Sequence, residues 1–234
     1  VVADEIVASI LENVEDHGRC TLVLSGGSTP SAIYRLLARP PRVHEVPWSK
    51  VHLFWGDERW VSSDDSQSNY RMVCETLLSH RKSPEENVHR VDTSLPDPAE
   101  AAALYGAHLR QFFGVAEDEV PVFDIVLLGV GTDGHTASIF PSSEVVADRV
   151  SLCKAVQLPP AAGSRVTLTP PVLFAGRRIL FLVKGRDKAD IVRRVFLGSE
   201  TVEELPAKLY EHGAERVTWF LCSEAARELD GVLA

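Results

Sequence analysis

Five runs of strand length, TLVLSGG at 21–27, VHLFWG at 51–56, FDIVLLG at 123–129, RRILFLVKG at 177–185 and VTWFLCS at 217–223, are apolar almost without interruption. A strand with one wet face alternates apolar and polar residues, whereas an unbroken apolar run belongs to a strand covered on both faces, as in a parallel sheet. Parallel strands need crossovers, and segments of helical period fill the gaps at 2–16, 30–38, 68–80, 98–113, 186–196 and 223–230. In the first of these Val2, Ile6, Ile10 or Leu11, and Val14 recur at helical spacing and form one apolar stripe. Strands alternating with helices predict right-handed crossovers and a layered α/β sandwich. No repeat, low-complexity tract or long linker divides the 234 residues, so a single α/β domain over 1–234 is expected. The string LPDP at 95–98 reads as a loop leading into a helix, and 142–170 is the least regular part.

Charge narrows the function classes. A formal net charge of −9 repels nucleic-acid backbones, which argues against a nucleic-acid partner yet leaves room for one small anion at a local group of cations. No run approaches the ~18 apolar residues of a membrane span. The opening VVADEIVASILENVEDHG reads as the inside of a first helix and has neither the basic start nor the cleavage site of a secretory signal. A soluble, cytoplasmic protein without a membrane partner is expected. Cys20, Cys74, Cys153 and Cys222 are far apart in sequence, so no zinc knuckle or redox CxxC arises from neighbours, and reduced, buried thiols are expected.

In open α/β sheets ligands bind beyond the carboxyl ends of the strands, and three strand ends here carry polar turns. The first is LSGGSTP, in which Pro30 is placed to begin a helix and Ser28 or Thr29 to cap it. With Gly26 and Gly27 letting the backbone approach a ligand, this turn suits an anion such as phosphate, although neither a Walker pattern nor GxGxxG is present. The second is WGDERWV, which sets Asp57, Glu58 and Arg59 between two tryptophans; SDDSQSNYRM follows, with Asn69 and Arg71 within reach of a ligand and Asp64 and Asp65 as helix caps. The third is DIVLLGVGTDGHTASIFP at 124–141, where Gly129, Gly131 and Gly134 permit left-handed dihedrals and present Asp133 and His135 at the sheet mouth. An imidazole titrates near neutrality and is the natural general base there. His108 and His135 are too far apart in sequence for zinc-ligand spacing, so no metal is expected.

Taken in order, LSGGSTP, FWGDERWV, SDDSQSNYRM, DIVLLGVGTDGHTASIFP, RVTLTPPVL and KGRDKA resemble the 6-phosphogluconolactonases, within the larger family that includes glucosamine-6-phosphate isomerase/deaminase. The likeness covers about residues 20–190 and implies a Rossmann-like three-layer α/β sandwich with a mostly parallel sheet. It also implies hydrolysis of 6-phospho-D-glucono-1,5-lactone to 6-phosphogluconate in the oxidative pentose phosphate pathway, with no cofactor and a monomeric chain. By that resemblance His135 matches the base that activates water. Gly26, Gly27, Ser28 and Thr29 match the loop near the substrate phosphate, Lys188 matches the lysine directed at that phosphate, and Arg59 and Arg165 match further basic residues of the pocket. Lys184, on the strand rather than at the following helix start, ranks below Lys188. Either Asp133 or Asp57 orients the histidine, and Arg59 or backbone N–H groups receive the oxyanion. The deaminases continue their Asp-Gly-His turn into Asn-Glu-Pro, whereas this chain has Phe140 where that acid would stand. A sugar-phosphate sensor, the remaining alternative, would need a DNA-binding segment for which no sequence is left over.

Overall fold

The computed structural model describes residues 1–80, 84–159 and 163–229; position 230, the end of the last expected helix, lies outside the described residues. In chain order the helices are α1 (Val2–His17), α2 (Ser28–Leu37), the single turn α3 (Arg42–Glu45), α4 (Asn69–Thr76), α5 (Pro98–Phe113), the short α6 (Pro170–Phe174), α7 (Ala189–Leu197) and the short α8 (Ser223–Ala226). The strands are β1 (Cys20–Leu24), β2 (Val51–Trp55), β3 (Asp57–Arg59), β4 (Val88–His89), β5 (Ile125–Leu128), β6 (Cys153–Gln157), β7 (Ser164–Leu168), β8 (Arg178–Val183) and β9 (Val217–Leu221). The main sheet runs β4-β2-β1-β5-β8-β9, and its neighbours pair in parallel.

Register explains the three layers. Phe54 sits beside Val23, Val23 beside Val126, and Leu128 beside Phe181, which in turn sits beside Trp219, so these side chains share one face. There Phe54 meets Phe112 of α5 and Trp219 meets Phe196 of α7. On the opposite face Trp55 meets Tyr70 of α4, and α4 packs against α2, which packs against α1. With both faces covered, every residue of β1 and β5 is buried, which is why those strands read as continuous apolar runs. Phe54 and Phe123 are fully buried, each contributing roughly 1.5–3 kcal/mol of apolar transfer.

A second, antiparallel sheet of order β3-β7-β6 lies against α5 and carries part of the site. It falls largely in the segment that looks irregular in sequence. β3 is three charged residues, and β6 is half exposed, so neither gives a continuous apolar signal. The chain crosses between the sheets at Gly56, whose N–H donates to the Leu24 carbonyl (3.0 Å) and whose carbonyl accepts from the Leu168 N–H (2.8 Å).

Two capping expectations are corrected. α2 starts at Ser28 with Gly27 as its cap residue at φ 100°, a left-handed value, so Ser28 and Thr29 lie inside the first turn and do not cap it. α4 is capped by Ser68, whose hydroxyl accepts the Arg71 N–H at 3.1 Å; Asp65 instead accepts the Gln67 N–H at 2.7 Å within the preceding turn. The helix expected after LPDP is α5, capped by Asp97, whose carboxylate accepts the Ala99 N–H at 2.9 Å. The four cysteines form no disulfide among the described residues, and only Cys20 is buried; Cys74, Cys153 and Cys222 are half-buried. No helix among the described residues is long and apolar enough to cross a membrane.

Candidate active site

A cavity of about 320 Å³ opens at the carboxyl ends of β1 and β5, where the main sheet meets the small one. Its wall brings together Gly26, Gly27, Asp57, Arg59, Asn69, His135, Arg165 and Lys188, all singled out from sequence. Asp133 stands behind His135. The side chains of Ser28 and Thr29 do not join them; Thr29 lines a separate, apolar cavity together with Lys184, and Arg71 turns away to pair with Glu75 at 2.7 Å.

His135 is held by its own turn. Gly131 N–H donates to the His135 carbonyl at 2.8 Å and Gly134 N–H to the Gly131 carbonyl at 3.0 Å, folding the loop back on itself. A Cβ on Gly131 would run into His135 Nδ1 and Asp133 Oδ1, so this glycine is needed for close approach; of the three glycines only Gly134 has a left-handed φ, 90°. His135 Nδ1 lies 2.6 Å from Asp133 Oδ1. An ionised carboxylate only accepts, so Nδ1 carries the proton and Nε2 is left as the lone-pair nitrogen. The hydrogen bond to His135 holds the Asp133 carboxyl below its ordinary range, against the opposing effect of burial. Phe140 covers the imidazole from the side, ring centroids 4.6 Å apart.

Asp57 does not touch His135. Its Oδ2 accepts the Ser138 hydroxyl at 2.6 Å, and Asn69 Nδ2 donates to the Asp57 carbonyl at 2.9 Å, so Asp57 ties the histidine turn to the start of α4. Between the two carboxylates that sequence leaves open as the histidine's partner, the geometry selects Asp133. Sequence reasoning missed Ser25, Ser138 and Leu158 on the cavity wall. Ser138 was within the quoted HTASIFP string, but only the fold reveals that its hydroxyl faces Asp57; Leu158 follows the unrecognised β6 and gave no signal.

Three cations surround this space in a chain of net charge −9. Arg59 and Arg165 are direct register partners across β3 and β7, and Lys188 comes from the turn before α7. Burial first, and then the like charge of Arg59, pull Arg165 below its ordinary range, while Asp57 and Glu58 act in the opposite sense. The first turn of α2 opens at the wall formed by Gly26 and Gly27, and N–H groups of a first turn have no partner inside their own helix. Among the described residues no group of three or more His, Cys, Asp or Glu side chains is placed to hold a metal ion. The arrangement suits an anionic small molecule with an electrophilic centre near His135 Nε2.

The family described as glucosamine-6-phosphate isomerases/6-phosphogluconolactonase matches residues 1–219. A Nostoc sp. protein named 6-phosphogluconolactonase is 37% identical over 226 residues, 97% of this chain and 91% of that protein. The solved 6-phosphogluconolactonase from Trypanosoma cruzi superposes with a TM-score of 0.84 at 31% identity, covering 98% of this chain and 91% of the other. A monomeric glucosamine-6-phosphate deaminase superposes with a TM-score of 0.80 at 23% identity, covering 97% and 95%, which shows a common fold.

Proposed function

The chain belongs to the family of glucosamine-6-phosphate isomerases and 6-phosphogluconolactonases, and from that premise we propose that it hydrolyses 6-phospho-D-glucono-1,5-lactone to 6-phosphogluconate, a step of the oxidative pentose phosphate pathway. The observation that carries this reading is the Asp133–His135 pair, 2.6 Å apart, on the wall of a cavity that also holds Arg59, Arg165 and Lys188. His135 Nε2 removes a proton from a water as the water oxygen bonds to C1 of the lactone. The carbonyl electrons move onto oxygen, and Arg59 or backbone N–H groups stabilise that oxyanion. When it collapses, the C1 to ring-oxygen bond breaks and the imidazolium returns the proton to the departing C5 oxygen. Atoms balance with water as the only co-reactant. Asp133 keeps the productive tautomer and stabilises the transient imidazolium.

Lys188, Arg165 and the backbone of the Gly26–Gly27 turn, continued by the N–H groups of Ser28 and Thr29, hold the phosphate. The serine and threonine act there through the main chain, since their side chains do not line the cavity. Phe140, packed on His135, occupies the space where amino-sugar isomerisation would require an acid. One family match running across residues 1–219 supports a single α/β unit over 1–234, and the proposal takes that unit as a monomer in the cytoplasm. The test is a coupled assay of 6-phosphogluconate formation above the spontaneous rate, with unphosphorylated gluconolactone alongside. Equal efficiency on both lactones, or no excess over the spontaneous rate, rejects the reading.

A further inference from the structure

Glu58 lies between two cavity residues in sequence but is only 2% exposed and does not reach the cavity. Its Oε1 accepts the N–H of Arg59 at 2.7 Å and the N–H of Asn69 at 2.7 Å. Its Oε2 accepts the N–H of Tyr70 at 2.7 Å and the Ser68 hydroxyl at 3.3 Å. One carboxylate therefore fastens both ends of the segment 59–70 to a single point, at the N-terminus of α4 where negative charge is favoured.

The residues at those two ends, Arg59 and Asn69, both line the cavity. Arg59 Nη1 donates to the Gln67 carbonyl at 2.6 Å, so the direction of its guanidinium depends on the shape of the fastened segment. Asn69 Nδ2 donates to the Asp57 carbonyl at 2.9 Å, and its Oδ1 occupies the place a Cβ on Gly26 would need. The segment thus fixes a cation above the site and an amide wedged beneath the glycine turn. Burial pushes the Glu58 carboxyl above its ordinary range, opposed by the three N–H groups. The bonds that Glu58 accepts fix the geometry of the segment they close.

We propose that Glu58 is a positioning residue for the reaction, acting through Arg59 and Asn69 by fastening the segment between them. This rests on the reading of Arg59 as a donor to the developing oxyanion. Gln is isosteric, but its amide has one acceptor oxygen and sets an NH2 against a backbone N–H, so the clamp opens on one side.

The experiment is a double-mutant cycle of Glu58→Gln and Arg59→Ala, with kcat and KM measured well below each variant's Tm. Glu58→Gln should lower kcat about 10- to 100-fold, as small misplacements of catalytic groups do, with a smaller change in KM. In the Arg59→Ala background it should cause a clearly smaller loss, because one of the two groups it positions is gone. Wild-type kcat in folded Glu58→Gln, or the same fold loss in both backgrounds, overturns the proposal. Absence of lactonase activity in the wild type would sink the functional reading alone; the positioning is then decided without turnover by calorimetry of inorganic phosphate, whose affinity Glu58→Gln should lower through Asn69 and the Gly26 turn, and an unchanged affinity overturns it. Should Glu58→Gln fail to fold, Ser68→Ala, which removes the hydroxyl between Glu58 and α4, takes its place with the same criteria.

Discussion

Arg59 and Arg165 stand directly opposite each other in the antiparallel β3–β7 pair, and both line the same cavity. Like charges at opposed positions weaken a sheet pair, and Arg59 contributes to the lowered value of Arg165. An anion between them removes the repulsion. In the absence of ligand, Arg165→Gln should therefore melt at or above the temperature of the wild type, while losing most of the rise in Tm that phosphate or 6-phosphogluconate gives the wild type. Differential scanning fluorimetry over a ligand titration reads both. A lower ligand-free Tm combined with an undiminished ligand shift would mean that the arginine pair is structural.

Lys188 offers a separable test of phosphate binding. A charge-assisted hydrogen bond contributes about 1.5–3 kcal/mol, so Lys188→Ala should raise KM for the phosphorylated lactone roughly 10- to 100-fold with a far smaller fall in kcat. Lys184 carries the same charge four residues earlier but lines the separate apolar cavity, and Lys184→Ala should leave both constants within about twofold of the wild type. Steady-state kinetics on the two variants check this directly; equal effects would remove the distinction between the two lysines.

How far the sequence speaks depends on burial. The five long strands are legible because both faces of the main sheet are covered, and their apolar runs end within a few residues of the observed strands. The small sheet is not legible: Asp57, Glu58 and Arg59 form a strand with no apolar residue, held there by pairing to Arg165, Val166 and Thr167 more than a hundred positions away. The candidate site is legible where a residue type implies chemistry: His135 and Lys188 line the cavity, and Asp133 bonds to His135. It reads poorly where position decides. Ser28 and Thr29 look like caps and side-chain ligands because Pro30 suggests a helix start, yet the helix begins at Ser28, its cap is Gly27, and both side chains leave the cavity. Glu58 looks like part of a solvated turn and is instead a buried clamp, since nothing in the local string tells that the start of α4 returns to it.

Removing the imidazole with His135→Ala should lower kcat about 10²- to 10⁴-fold while leaving 6-phosphogluconate binding nearly unchanged, because the turn is closed by backbone bonds among Gly131, Gly134 and His135. Asp133→Asn should reduce kcat at least about tenfold, since an amide no longer fixes the tautomer. The lowered Asp133 value adds a stability signature: a depressed carboxyl stabilises above its unfolded value and loses that contribution as pH falls through the folded value. The Tm difference between wild type and Asp133→Asn should accordingly be present at pH 7 and narrow below about pH 4. Unchanged turnover in both variants would assign the base elsewhere.

The last prediction concerns three histidines remote from the site. His52 Nδ1 lies 3.0 Å from His89 Nε2, and His89 Nδ1 lies 2.8 Å from His108 Nε2, linking β2, β4 and α5 through a chain of imidazoles beside Phe54 and Phe112. Each contact needs one donor and one acceptor, a condition that three neutral rings meet; the chain accepts one extra proton, and any further proton sets two N–H groups face to face. Burial lowers all three, and for His89 burial, His108 and His52 together bring the value down to about 4; Arg19 also lowers His52, against a smaller opposite effect of Glu86. The ordinary imidazole value is about 6.5, so between roughly pH 6.5 and 4 the unfolded chain binds protons that the folded chain refuses. Stability is then fully present above that window and is lost as pH falls through it. Denaturant unfolding at pH 7, 6 and 5 should give a decreasing free energy for the wild type and a shallower decrease for His89→Gln, which keeps a side chain able to donate and accept but does not titrate. An identical slope in the two proteins would place the acid sensitivity outside this chain of rings.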